Sequence, residues 1–178
     1  IVVGISALSI ALLVMTGALF PQAKRSTDPW FQVHSAELAL SFMNEILAKS
    51  YDEAEPVSGG QLRCNENDGA GNTVACTVIG NCDAADYTWV EETSRNLFDD
   101  IDDYHCLNIS GDTMTNLAGT DRNEAYSGYN IAVTVSYAGT ELDASESLFA
   151  QEDVKKISVT VTAPDNSEVV FNAYRTNY

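Results

Sequence analysis

Basic residues are scarce in this 178-residue chain: 9 Lys and Arg stand against 26 Asp and Glu, a formal net charge of −17. A protein that grips nucleic acid neutralises phosphates with a basic face, so no nucleic-acid partner is expected. Charge-driven adhesion to anionic lipid headgroups is excluded for the same reason. Histidine is rarer still, with only His34 and His105, and neither has the Ser or Cys context of a catalytic triad. No glycine-rich phosphate loop of the P-loop or Rossmann kind is present. No C-x-x-C pair occurs either, which argues against a zinc ribbon. Carboxylate pairs are plentiful by count alone in so acidic a chain, so they make no case for a glycosidase. The expectation is therefore no enzyme, no catalytic residue and no cofactor. At 45% hydrophobic residues the chain is too apolar to be disordered, and its length suits one domain with an appended helix.

What is abundant is apolar sequence at one end. Residues 1–20 contain no charge. Twenty helical residues at ~1.5 Å each span ~30 Å, the hydrocarbon thickness of a bilayer. Ile1, Val2, Val3, Gly4, Ile5, Leu8, Ile10, Leu12, Leu13, Val14, Leu19, Phe20 and Pro21 are the candidate membrane or filament-core residues. A cleaved signal peptide has a basic stretch before a shorter apolar run, and none precedes this one. Lys24 and Arg25 follow the run, which for an ordinary anchor puts the bulk of the chain in the cytoplasm. The four cysteines point the other way. Cys64, Cys76, Cys82 and Cys106, spaced C-x11-C-x5-C-x23-C, suit two disulfides in an oxidising compartment, with three connectivities open. A third reading reconciles the two: a helix held by a membrane first and buried in a protein assembly later.

Pro21 is expected to kink or interrupt the helix, and Pro29 to restart it behind Thr27 or Asp28. From Trp30 to about Tyr51 the pattern is amphipathic. Leu38, Phe42 and Ile46, with Ala39, Met43 and Leu47, make one apolar stripe, and Gln32, Glu37, Asn44, Glu45 and Lys49 lie largely outside it. Asp52, Glu53, Glu55, Pro56 and Gly59-Gly60 mark the expected end. Further on, Tyr129, Ile131, Val133, Val135 and Tyr137 alternate with polar or small residues, as do Ile157, Val159 and Val161. Pro164 to Ser167 reads as a turn before a strand through Val169, Phe171 and Ala173. The fold class is α+β: a long N-terminal helix packed by its amphipathic half on an antiparallel sheet with disulfide-stapled loops. Residues 1–25 form the membrane or filament-core half. Residues 26–178 form the head, with amphipathic helix 29–52, loop region 53–127 and sheet 128–178.

This layout resembles the type IV pilin fold. Leu19-Phe20-Pro21-Gln22-Ala23-Lys24-Arg25-Ser26 is similar to the junction after the membrane helix in minor pilin-like proteins of the mannose-sensitive haemagglutinin (MSHA) pilus. Ala36-Glu37-Leu38 and Met43 to Ala48 resemble the next part of that helix. The acidic Phe98-Asp99-Asp100-Ile101-Asp102-Asp103-Tyr104-His105, Tyr126-Ser127-Gly128-Tyr129 and the strand after it, Ile157 to Thr162, and Phe171 to Arg175 recur there too. The loops at 56–88 and 139–153 are not covered. The family's basic leader, Gly-Phe cleavage site and fifth-position glutamate are absent, so the given sequence is expected to start several residues into the mature protein. Cys106 stands where the family motif has glycine, which implies a lineage-specific disulfide.

The resemblance implies a minor pilin, a structural and assembly subunit. It would sit in the inner membrane by a single span with a periplasmic head, then enter an extracellular filament of a Gram-negative bacterium, at or near the tip, for attachment. Its partners would be other major and minor pilins through the N-terminal helix, the inner membrane before assembly, and the pilus assembly machinery. A type II secretion pseudopilin, a tip adhesin binding a surface ligand through its loops, and a membrane-anchored sensor are the alternatives. Asp99, Asp100, Asp102 and Asp103 form an oxygen-rich candidate Ca²⁺ site without an EF-hand pattern, against the plainer reading of aspartates bonding local amides. Trp30, Phe31, Trp89, Tyr126, Tyr129 and Tyr137 are candidates for ligand or subunit contacts, or for packing between helix and sheet.

Overall fold

The computed structural model describes residues 2–53, 63–67, 70–82, 92, 94–115, 123–145 and 148–177, apart from the side chains of 17–28, 123 and 124. Helix α1 runs Val2–Leu47, about 70 Å at 1.5 Å per residue. Among the described residues four strands follow: β1 (Asn108–Ser110), β2 (Asn130–Tyr137), β3 (Val154–Thr162) and β4 (Glu168–Thr176). They form one antiparallel sheet in the order β1-β2-β3-β4. Two four-residue helices, α2 (Asn123–Tyr126) and α3 (Gly139–Leu142), sit before and after β2.

The C-terminal half of α1 lies across β3 and β4. Leu38, Ala39, Phe42, Met43 and Ile46 are buried there, one face of a 3.6-residue repeat. Ile131, Val133 and Val135 meet them from β2, and Ile157, Val159 and Val161 from β3. These are the alternating positions expected of a sheet covered on one side. The helix and sheet are thus as the spacing foretells, and the fold is α+β.

Three boundaries differ from expectation. The helix is continuous through Pro21 and Pro29. A proline removes one N–H, but the neighbouring hydrogen bonds suffice to carry the helix past it. The helix also ends at Leu47 and not near residue 52. Tight hydrogen bonds from Ala48 N to Glu45 O and from Lys49 N to Ile46 O close the last turn, and Arg175 Nη1 donates to Leu47 O at 3.1 Å. Ser50 then leaves to pair with the acidic motif: its N–H donates to Asp99 O and its carbonyl accepts from Ile101 N. Finally, the sheet begins at Asn108, inside the expected loop region. Three residues are too few to show an alternation.

Candidate functional site

The N-terminal half of α1 is bare. Every described residue from Val2 to Thr16 is exposed, and Val2, Val3, Ile5, Leu8, Ile10, Leu12, Leu13 and Val14 each keep more than half of their surface. A Cβ added to Gly4 would meet nothing within 4 Å. The polar residues here turn inward on the helix itself. Ser6 Oγ donates to Val3 O at 3.0 Å, Ser9 Oγ to Ile5 O at 2.9 Å, and Thr16 Oγ1 to Leu12 O at 2.9 Å. No hydroxyl of the three needs water for a partner, which is what an apolar surrounding demands. Among the described residues no helix is long and apolar enough to cross a membrane. Ile1 and the side chains of Leu19, Phe20 and Pro21 lie outside the described set.

The acidic motif is largely turned into the protein. Asp100 Oδ1 accepts from the backbone N–H groups of Asp102 and Asp103 at 2.9 and 3.2 Å. Asp103 Oδ2 accepts from those of Asp99 and Asp100 at 2.9 and 3.2 Å. Asp102 is buried and its Oδ1 accepts from Lys155 Nζ. Lys155 is fully buried. It shares the strand parity of Ile157, Val159 and Val161, so its side chain points into the core face. Its ammonium also donates to Tyr51 O at 2.5 Å and to Asp52 Oδ2 at 3.2 Å. The Tyr51 ring centroid lies 4.5 Å away and that of Tyr137 5.6 Å away. Thr77 completes Asp52, through its N–H at 3.1 Å and its hydroxyl at 3.3 Å. Burial, then the neighbouring Asp102 and Asp103 charges, push the Asp100 carboxyl up to about 9. Burial raises Asp102 too, against the pull of Lys155.

Asp99 stays exposed. Its carboxylate gathers with those of Glu53 and Glu92, oxygens within 4.8 Å of one another. A hydrogen bond with Asp103, partial burial and the surrounding negative charges push Glu92 up to about 8.

Both disulfides join neighbours in sequence: Cys64–Cys76 and Cys82–Cys106. Cys64 O accepts from Asn177 Nδ2 at 2.9 Å, so the first staple also fastens the segment after β4. Cys106 has a φ of 63°, the left-handed region in which glycine is at ease and other residues are strained. Beside it, His105 covers the edge of β2 beyond the reach of β1. Its Nδ1 accepts from Val135 N at 3.0 Å and its Nε2 donates to Gly80 O at 3.0 Å, a neutral ring with one tautomer. Burial lowers its pKa in keeping with that.

Glu45, expected outside the apolar stripe, is half-buried on it. Arg95 Nε donates to its Oε1 at 2.9 Å, Arg95 Nη2 to its Oε2, and the Tyr104 hydroxyl to Oε1 at 2.8 Å. The guanidinium also stacks 4.4 Å from the Phe42 ring centroid. Phe31 and Tyr129, and Tyr126 and Tyr129, meet edge to face, at 6.3 and 6.0 Å. His34 lies 4.2 Å from the Trp30 ring and 6.3 Å from that of Tyr126. These rings join the helix to the sheet above the core, while the Tyr137 hydroxyl donates to Thr77 O. Trp89 lies outside the described residues.

Lys155 and Arg95 went unread in the sequence. The odd-numbered parity of β3 was the available signal for Lys155, since it continues Val161, Val159 and Ile157 without a break. Nothing comparable marks Arg95, which stands in an irregular segment. No family model, curated protein or solved structure matches this chain.

Proposed function

We propose that this chain is a type IV pilin-like filament subunit, a minor pilin of the MSHA kind. It is held in the inner membrane by residues 1–25 and then built into a surface filament with its acidic head outward. The observation that carries this reading is the division of α1. One half has an apolar surface on all sides and hydroxyls satisfied within the helix. The other is amphipathic and seated on a sheet. A bare apolar helix of this kind needs a covering, and lipid and a bundle of like helices both provide one. Moving from membrane to filament exchanges one apolar surrounding for another. The left-handed backbone at Cys106 supports the resemblance, since the family motif has glycine at that place.

Mass spectrometry of filaments sheared from intact cells, beside washed membranes, tests the reading. The expected result is this chain in the filaments at low ratio to a major subunit. Its presence in membranes alone favours a secretion pseudopilin or an anchored sensor. Loss of surface attachment with filaments intact, on changing the loops, favours the tip adhesin.

A further inference from the structure

We propose that Lys155 and Asp102 become joined by an intramolecular amide bond between Lys155 Nζ and Asp102 Cγ. The proposal stands apart from the filament reading and rests on the cluster alone. Lys155 Nζ is in direct contact with Asp102 Oδ1. Both side chains and that of Asp52 are buried, with Lys155 wholly removed from solvent. In water an amine and a carboxylate stay an ion pair because hydration holds both charges. Here that hydration is gone, and the uncharged amide is the product that burial penalises least. Fixed contact also removes the entropic cost of bringing the two groups together.

The atoms balance without any other reactant. The starting pair is an ammonium and a carboxylate, and the products are one amide and one water. Asp52 Oδ2, 3.2 Å from Nζ, takes a proton from the ammonium and frees the nitrogen lone pair. Nζ then bonds to Asp102 Cγ, and one Cγ–O bond breaks. The departing oxygen leaves as water, carrying two of the three ammonium protons, one of them by way of Asp52. The Asp100 side chain hydrogen-bonds that of Asp102, and burial raises both carboxyls. The rings of Tyr51 and Tyr137 wall the amine and keep bulk water from reversing the step. The bond would tie the acidic motif to the start of β3.

The test is the intact mass of the folded full chain after both disulfides are fully reduced. The expected mass is lower than that of the sequence by one water, and proteolysis should release a branched peptide joining the segments that hold Asp102 and Lys155. Lys155→Arg and Asp102→Ala should each restore the missing water, and Asp52→Asn should leave most of the chain unjoined. A wild-type chain that keeps its full mass after prolonged incubation in the folded state overturns the proposal and leaves a buried ion pair. So does a branched peptide through any other pair of residues. Full joining in Asp52→Asn overturns the proton route given to Asp52. The deciding reading is made on the wild type, so a variant that fails to fold does not blunt it.

Discussion

The two halves of α1 are one helix with two kinds of surface. From Val2 to Thr16 every residue is exposed, and large apolar side chains stand on all sides of the helix. From Leu38 to Ile46 most residues of the same types, Leu38, Ala39, Phe42, Met43 and Ile46, occupy a single stripe covered by the sheet, and Leu40 alone of them stands outside it. Helical geometry does not distinguish the halves. What distinguishes them is where the polar side chains lie: absent or folded back in the first, ranged on one side in the second. Continuous apolar surface asks for a partner beyond the chain, whereas a stripe is satisfied within it.

The sharpest way to break this comparison is the same kind of truncation in each half. Phe42→Ala should lower the stability of the head by about 3–5 kcal/mol, through lost burial and a cavity. Leu12→Ala should leave urea unfolding of the head, followed in detergent, where it was. Equal losses would mean that the first half packs on the head after all. Next in size, Leu12→Asp should cost about 3 kcal/mol of membrane insertion. Cell fractionation should show the chain lost from membranes while the melting midpoint of the head holds. Glu45→Ala should destabilise the head by about 2 kcal/mol, since it strands Arg95 and the Tyr104 hydroxyl. Restoration by Glu45→Gln should be partial, since one oxygen can still accept from Tyr104 and Arg95 Nε while the charge and the second acceptor are lost.

A smaller effect follows from the acidic end of the head. The Asp100 carboxyl is raised to about 9 from an ordinary 3.8. Between those limits the folded chain holds a proton that the unfolded chain has released. Stability from this group therefore falls as pH rises, by at most about 1.4 kcal/mol per pH unit. Asp100→Asn, which keeps the acceptor for the Asp102 and Asp103 amides, should flatten the decline of melting midpoint between pH 5 and pH 8, a range of roughly this titration. A wild type whose stability rises across that range would contradict the assignment. Least of all, Ser9→Ala should change head stability and membrane retention by less than about 0.5 kcal/mol, because its hydroxyl bonds only its own helix.

Regular elements were legible because their signal is periodic. The stripe from Leu38 to Ile46 and the alternation of β2 and β3 are long enough to repeat. Asn108–Ser110 is not, and it joins the sheet through its pairing with Asn130–Ala132. The prolines misled about α1, since each speaks only of its own N–H and says nothing of the turns around it. The cysteine pairing could not be read from four positions. Among site residues, the aspartates of the motif stood out by density, but the cation that meets them did not. Lys155 comes from a strand far along the chain, and a lysine beside a second lysine looks like an exposed strand end. Lys156 does reach outward, to Glu141 at 2.7 Å. The difference between the two lysines is one step of the pleat.

The order of synthesis gives the seating of α1 on β3 and β4 a temporal meaning. The stripe at Leu38–Ile46 is made early, and the strands that cover it, Val154–Thr162 and Glu168–Thr176, are made more than a hundred residues later. Until they arrive the stripe is sticky and only partly claimed, and contacts so distant in sequence form slowly. A newborn head is thus open to capture by chaperones, proteases or its own kind for nearly the whole of its emergence. Closure comes only when the last strand docks, Arg175 reaches Leu47 and Asn177 reaches Cys64.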